Sequence, residues 1–121
     1  MRGIGIDIVE IERFETRLEK PAFLKLVFTD AERKNCASKG RRAECFAARF
    51  AAKEAYMKAV GLGWSANAEF LEIEITSNEL GQPSILLHGK SLDFFVKNGY
   101  QSTFLSISHT SKTAVAVVIL Q

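Results

Sequence analysis

The sequence predicts a single α+β domain, because strand patterns at both ends of the chain flank a long helical region. Small and apolar residues alternate over residues 3–8, which indicates a strand. An alanine-rich stretch from Arg42 to Val60, followed by Gly61, predicts the longest helix. The 121 residues are 47% hydrophobic, so residues 1–121 can form one domain around a buried core.

The first strand is predicted to have one apolar face and one nearly bare face. Its apolar Ile4, Ile6 and Ile8 alternate with Gly3, Gly5 and Asp7. Because glycine has no side chain, another backbone or a ligand can come close to the second face. Asp7 is the only polar side chain there.

Three short helices are predicted before the long one. An i, i+3, i+7 apolar stripe indicates the first, with Ile11, Phe14 and Leu18. Pro21 ends or restarts that helix, and Ala22–Phe28 predicts the second. Thr29–Glu32 has the form of a capping box that opens the third, and Ser38–Gly40 is a break.

After Gly61 the pattern changes to strands, predicted at residues 71–75, 83–87, 103–109 and 113–120. Asn78–Gly81 is the turn between the first two. A helix over Lys90–Asn98, ended by Gly99, is predicted before the third.

Composition excludes several classes of protein. A net charge of +2 does not indicate a general nucleic-acid binder, although the basic residues concentrate in the first half of the chain. No apolar run approaches the ~18 residues of a membrane span, and Met1–Ile4 leads into a strand rather than a signal peptide. We therefore expect a soluble, cytoplasmic protein. Cys36 and Cys45 lack the spacing of a zinc site, and we expect reduced thiols.

Glu54 and Lys58 are the first candidates for chemistry. A helical wheel places them on a narrow strip between two apolar faces, with Arg49 and Lys53 directed elsewhere. The strip continues through the small residues Ala47 and Ala51. An exposed i, i+4 pair contributes only roughly 0.2–0.5 kcal/mol. Apolar flanks instead predict partial burial, where charges need a partner, a metal or a ligand.

Asp7 has two interpretations that stay open. With Glu10 three residues later it fits a helix N-cap. At the end of a strand, facing a glycine-lined surface, it equally fits a ligand for a hard cation. Mg²⁺ uses one or two protein carboxylates and completes its shell with water and phosphate oxygens, so Asp7 and Glu54 would suffice.

Basic residues also have alternative roles. The first helix carries a stripe of Arg13, Arg17 and Lys20, which is either a solvated face or a docking surface for an acidic protein. Arg41 and Arg42 either bind a phosphate or are solvated at a helix start. His109 ends an apolar strand, where a histidine is more often structural.

Three segments, Gly3–Phe14, Arg49–Ala59 and Leu105–His109, resemble in combination the holo-acyl-carrier-protein synthase family, the small 4′-phosphopantetheinyl transferases. The Gly81–Pro83 turn also fits. The resemblance implies a mainly antiparallel sheet packed on a long central helix. It also implies transfer of the phosphopantetheine arm of coenzyme A to a serine of apo-acyl-carrier protein in fatty acid biosynthesis, with adenosine 3′,5′-bisphosphate as the second product.

The resemblance further implies residue roles. Asp7 and Glu54 would hold Mg²⁺ on the pyrophosphate, and Lys58 would neutralise the phosphate. The serine proton would pass to a metal-bound water or to Glu54. Arg13 and Arg17 would meet the acidic helix of the carrier protein. The coenzyme site would include Arg41, Arg49, Lys58, Gly61, Gly63, Pro83 and His109. Members of this length usually form homotrimers with active sites between subunits.

One segment departs from the family pattern, which usually has Gly-Thr-Gly after the lysine helix. Gly61–Trp64 keeps both glycines but replaces the hydroxyl, and Trp64 is expected to pack or stack there.

Two other functions fit part of the pattern. A non-catalytic module that binds coenzyme A or a nucleotide would keep the basic residues without needing the metal, so magnesium dependence of binding separates it from the transferase. An interaction domain would need only the basic first helix, and the acidic positions with Lys58 argue against it.

Overall fold

The computed structural model describes residues 1–37, 40–61 and 69–121, and its elements confirm the α+β class. In chain order these are β1 (Gly3–Glu10), α1 (Ile11–Leu18), α2 (Pro21–Val27), α3 (Asp30–Ala37), α4 (Arg42–Val60), β2 (Ile73–Ser77), β3 (Pro83–Leu87), α5 (Gly89–Lys97), β4 (Thr103–His109) and β5 (Thr113–Leu120). Two antiparallel sheets, β1-β5-β4 and β2-β3, pack with α4.

Most predicted boundaries are correct within one or two residues. Pro21 is the first residue of α2, as expected where proline restarts a helix. The predicted strand at 71–75 is shifted by two residues to Ile73–Ser77, because Phe70–Glu72 forms a 3₁₀ turn before it.

The bare face of β1 lies against α4, as its glycines predicted. A methyl group added at Gly5 would overlap the carbonyl oxygen of Ala55, and one added at Gly3 would overlap that of Ala59. Strand and helix backbones therefore approach closely because neither contributes a large side chain. This contact fixes the position of Asp7 along the axis of α4, beside the last turns of the helix.

The apolar face of β1 is directed outward. Ile4, Ile6 and Ile8 are 57%, 58% and 69% exposed, and Phe104 on β4 is 53% exposed. The strand register places Ile4 and Phe104 in one row across the sheet, on either side of Ile119. We call this surface, formed by Ile4, Ile6, Ile8, Phe104, Val115, Val117 and Ile119, the outer sheet face.

The capping box predicted at Thr29–Glu32 is present and extends into the core. The backbone N–H of Thr29 donates to Glu32 Oε1 (2.9 Å), and that of Glu32 donates to Thr29 Oγ1 (3.2 Å). Glu32 Oε1 also lies 2.8 Å from the ammonium of Lys53, and Glu32 Oε2 accepts from the Ile75 N–H (2.9 Å). This network joins α3, α4 and β2, so Lys53 has a structural role.

The prediction of reduced cysteines is wrong for this structure. Cys36 at the end of α3 and Cys45 in the first turn of α4 form a disulfide, with their Cα atoms 5.5 Å apart. The packing of α3 against α4 brings the cysteines together, which spacing in the sequence did not reveal. Separately, the described helices include none long and apolar enough to cross a membrane.

Candidate active site

A cleft of about 810 Å³ lies where β1, α1 and α4 meet. Its charged lining residues are Asp7, Glu10, Arg13, Arg17, Glu54 and Lys58. The close contact of Gly3 and Gly5 with α4 positions β1 along the helix so that Asp7 faces it. On α4, one helical turn separates Glu54 from Lys58. The cleft thus collects Asp7, Glu54 and Lys58, the three residues predicted to be catalytic.

Asp7 is bound directly by Lys58. The ammonium of Lys58 donates to Asp7 Oδ1 (3.0 Å) and to the backbone carbonyl of Ile6 (3.0 Å). Asp7 is not the N-cap of α1, since Glu10 holds that position and makes no side-chain capping bond. The structure therefore removes the N-cap interpretation and leaves the side chain of Asp7 available to the cleft.

Glu54 is a half-buried carboxylate beside a second one. Burial raises its pKa above 4.5, and the negative charge of Asp7 raises it further, while Lys58 and Arg17 act in the opposite direction. Two carboxylates whose charges repel in one cleft are what a divalent cation would stabilise.

Hydrophobic side chains complete the cleft and differ from those expected. Phe14 from α1 and Phe50 from α4 line it, with their ring centroids 5.1 Å apart. Ala47 and Ala51, which continue the predicted strip, are fully buried and do not line the cleft. The apolar stripe of α1 was the only sequence signal for Phe14, and it predicted burial rather than a cleft wall.

Arg13 and Arg17 both line the cleft but have different surroundings. Arg13 lies 3.9 Å from Glu10 and is highly exposed. The guanidinium of Arg17 lies over the ring of Phe23 (5.8 Å) and that of Phe50 (6.0 Å). Arg13 therefore lies at the rim, and Arg17 lies nearer the aromatic wall.

Arg41 and His109 are brought together outside this cleft. Arg41 Nη1 lies 3.5 Å from Glu44 Oε2, and His109 Nδ1 lies 3.4 Å from the same oxygen. Glu44 was not predicted as a site residue, and its only sequence signal is its place in the first turn of α4. We call Arg41, Glu44 and His109 the histidine cluster.

Of the other predicted coenzyme residues, Arg49, Gly61 and Pro83 do not line the cleft. Arg49 is buried, its Nη1 donates to Cys45 Sγ (3.1 Å), and burial lowers its pKa while Glu32 partly opposes this. Gly61 ends α4 in the left-handed conformation, and Pro83 begins β3. Gly63 lies outside the described residues, as does Trp64.

A metal site of three or more His, Cys, Asp or Glu side chains is absent from the described parts of the chain. Asp7 and Glu54 nevertheless present carboxylate oxygens, the ligands that Mg²⁺ prefers, in the number it commonly takes from a protein. Their mutual repulsion, which contributes to the raised pKa of Glu54, fits a cation-binding pair.

Comparison of sequences identifies relatives along nearly the whole chain. A holo-[acyl-carrier-protein] synthase of Trichlorobacter lovleyi is 44% identical over 121 residues, covering 98% of this chain and 96% of the relative. Another, of Geotalea daltonii, is 41% identical over 121 residues, covering 98% and 97%.

Solved structures agree in fold. The holo-[acyl-carrier-protein] synthase of Neisseria meningitidis superposes with a TM-score of 0.93 at 31% identity, covering 100% of this chain and 98% of that one. The Helicobacter pylori enzyme, solved in complex with coenzyme A, gives a TM-score of 0.85 at 36% identity, covering 98% and 99%. Residues 3–118 match the ACPS family, described as the 4′-phosphopantetheinyl transferase superfamily. The chain therefore belongs to the 4′-phosphopantetheinyl transferase superfamily.

Proposed function

We propose that this protein transfers the 4′-phosphopantetheine arm of coenzyme A to a serine of apo-acyl-carrier protein. The observation that carries the proposal is the cleft, where Asp7 from β1 and Glu54 and Lys58 from α4 converge in a member of this superfamily. Relatives along the full chain are named holo-[acyl-carrier-protein] synthase, and one similar structure contains coenzyme A.

The reaction is a phosphoryl transfer, for which positioning and charge neutralisation supply most of the catalysis. The serine oxygen bonds to the phosphorus that carries the pantetheine arm, and the bond from that phosphorus to the bridging oxygen breaks. Adenosine 3′,5′-bisphosphate leaves with the electron pair of that bond. Lys58 offsets negative charge on the phosphate. The serine proton passes to water or to Glu54.

Mg²⁺ is the cation we propose for the carboxylate pair, with Asp7 and Glu54 as its protein ligands. When bound, the ion would supply positive charge to the pyrophosphate oxygens as the bond to the leaving group breaks. Support comes from the chemistry of the pair, two hard oxygen donors in an open cleft.

We propose that the active protein is a homotrimer with sites shared between copies. The exposed isoleucines and Phe104 of the outer sheet face form an apolar surface of the kind that oligomers bury. A neighbouring copy would bring its histidine cluster and its other predicted coenzyme residues, Arg49, Gly61, Gly63 and Pro83, toward the cleft. Analytical ultracentrifugation tests this, because Phe104→Glu should give a folded monomer with little transferase activity. A monomeric wild-type chain would contradict it.

Carrier-protein docking is proposed for Arg13 and Arg17, which lie beside the catalytic residues. Arg13→Glu should raise KM for the carrier protein while changing KM for coenzyme A little, because charge complementarity steers acidic partners. Lys97→Glu, at an exposed position on α5, serves as the comparison, and equal effects of both substitutions would contradict a specific role for Arg13.

The transferase proposal is tested by mass spectrometry. Purified protein, coenzyme A and Mg²⁺ should add one phosphopantetheine group to an apo-carrier protein, and a chelator should stop the reaction. Absence of the mass shift, with folded protein and a carrier that a known synthase modifies, would overturn the proposal. Binding of coenzyme A without transfer, and without dependence on Mg²⁺, would instead indicate a binding module.

We further propose that the protein acts in fatty acid biosynthesis in the cytoplasm. Relatives named holo-[acyl-carrier-protein] synthase support the first part. Fractionation of cells that express a tagged chain tests the second, and recovery outside the cytoplasmic fraction would contradict it.

A further inference from the structure

Lys58 connects α4 to β1 through an ion pair whose two side chains differ in exposure. From the last turn of α4 its ammonium reaches both the carboxylate of Asp7 and the carbonyl of Ile6 on β1, each at 3.0 Å. The side chain of Asp7 is 15% exposed, whereas that of Lys58 is 54% exposed. Asp7 is therefore held in place by its surroundings, and Lys58 has room to move into the cleft.

The two carboxylates of the cleft differ in how their charges are compensated. Asp7 has the ammonium of Lys58 in direct contact. Glu54 forms no ion pair with any described residue and receives only the more distant charges of Lys58 and Arg17. A divalent cation that binds Asp7 must therefore displace Lys58 from Oδ1 or bind next to a positive charge, and either event weakens its affinity.

We propose that Lys58 is the counter-ion of Asp7 before ligands bind, and that a coenzyme phosphate draws the ammonium away so that divalent cation and coenzyme bind cooperatively. The identity of these two ligands rests on the proposed function. In this scheme Lys58 competes with the cation in the free protein and assists it in the complex. By linkage, coenzyme raises the affinity for the cation by the same factor as the cation raises the affinity for coenzyme.

A merely structural role for Lys58 would have a different consequence. If its hydrogen bonds only tie α4 to β1, its removal lowers the stability of the fold and leaves cation affinity unchanged or weaker. The two roles are therefore distinguished by the affinity for the cation measured without coenzyme.

The experiment measures Mn²⁺ binding by electron paramagnetic resonance, with Mn²⁺ as the only added ligand. Lys58→Met should bind Mn²⁺ about tenfold more tightly than the wild-type protein, because a unit positive charge is removed from the carboxylate that binds the ion. Lys58→Arg, which keeps the charge, should bind as weakly as the wild type. Arg13→Gln is the matched control, since it removes one charge from the cleft rim without touching Asp7.

A second titration measures coupling. Coenzyme A should raise the affinity of the wild-type protein for Mn²⁺, and the factor should be smaller in Lys58→Met. Equal Mn²⁺ affinity in wild type and Lys58→Met, or an equal gain in Arg13→Gln, would overturn the proposal. So would the absence of Mn²⁺ binding in every variant. If Lys58→Met does not fold, Lys58→Gln gives the same comparison. Failure of the mass-shift assay alone would reject the transferase function and leave these binding results standing.

Discussion

Glu32 and Lys53 form an ion pair between two fully buried side chains, with Glu32 Oε1 2.8 Å from Lys53 Nζ. Lys53 also donates to the carbonyl of Phe70 (2.7 Å), so the pair joins α3 and α4 to the 3₁₀ turn before β2. Burial lowers the pKa of Lys53, and the charge of Glu32 opposes this. The pair thus supports the fold, and it lies on a different face of α4 from Glu54.

The first prediction concerns this pair. Lys53→Met should lower the free energy of unfolding by about 3 kcal/mol, because it leaves the carboxylate of Glu32 buried without its counter-ion. Urea denaturation measures the loss. Lys112→Met, at an exposed position, should change stability by less than about 0.5 kcal/mol. Similar values for both variants would show that the pair is not needed.

The second prediction concerns the contact between β1 and α4. Gly5→Ala should destabilise the protein by about 3 kcal/mol, since the new methyl group overlaps a helix carbonyl that cannot move independently. Gly40→Ala is the control, because its added methyl group meets no atom within 4 Å. Unfolding midpoints in urea compare the two, and a stable Gly5→Ala protein would mean that strand and helix lie farther apart.

The third prediction concerns the carboxylates. Asp7→Asn and Glu54→Gln should each lower kcat of the proposed transfer by at least about a hundredfold, because each removes negative charge from the proposed cation site while keeping its shape. The rate of mass shift in the carrier protein measures this, with circular dichroism to verify folding. Glu12→Gln, an exposed position on α1, should keep the wild-type rate. Full activity in both cleft variants would reject the assignment.

The fourth prediction concerns acid stability. Glu72 Oε1 accepts from the N–H and the hydroxyl of Ser91 (2.9 Å each), and Oε2 accepts from the N–H of Lys90 (3.2 Å). Burial alone would raise the pKa of Glu72, but these hydrogen bonds outweigh it and hold the pKa below 4.5. The contribution to stability is therefore complete above the unfolded-state pKa and is lost as pH falls through the folded-state pKa.

Glu72→Gln should accordingly lower the free energy of unfolding by about 1 kcal/mol at neutral pH, the typical contribution of a helix cap. The loss should become progressively smaller in acid. Urea unfolding at neutral pH and at a pH below the pKa of Glu72 measures the difference. Glu79→Gln, which is exposed, should show no such dependence. A cost for Glu72→Gln that grows as pH falls would contradict the assignment.

The fifth prediction concerns the disulfide. Replacing both Cys36 and Cys45 by alanine should lower the free energy of unfolding by about 2.5 kcal/mol, the loss expected when a link of sequence separation 9 no longer restricts the unfolded chain. Thiol titration in denaturant, without reductant, should find the cysteines unreactive. Two reactive thiols at that step would contradict the bond.

Local patterns predicted most of the elements because each depends on neighbouring residues. The capping box at Thr29–Glu32, the restart at Pro21 and the left-handed Gly61 all follow from local chemistry. The close approach of another element to the glycine face of β1 was also predictable, since a strand face without side chains indicates a close neighbour. The isoleucine face was recognised as apolar, but which partner covers an apolar face is a tertiary or quaternary property.

The candidate site was predictable in part for the same reason. Asp7, Glu54 and Lys58 stood out because charges beside apolar faces need partners. Lys58 binds Asp7, 51 residues away, rather than the nearby Glu54, and this choice depends on how β1 packs on α4. Glu44 and Phe50 were missed because their roles arise only when distant segments meet. The disulfide was missed because it depends on how α3 packs beside α4.

The alternation in β1 also protects the cleft against misfolding. A shift of the strand by one residue would direct Ile4 and Ile6 at α4 and turn Asp7 outward. The space at Gly3 and Gly5 does not admit even one methyl group, so an isoleucine side chain is excluded there. β1 can therefore pack on α4 only in the register that directs Asp7 into the cleft. The same close contact that the fold requires also ensures that the cleft is correctly formed.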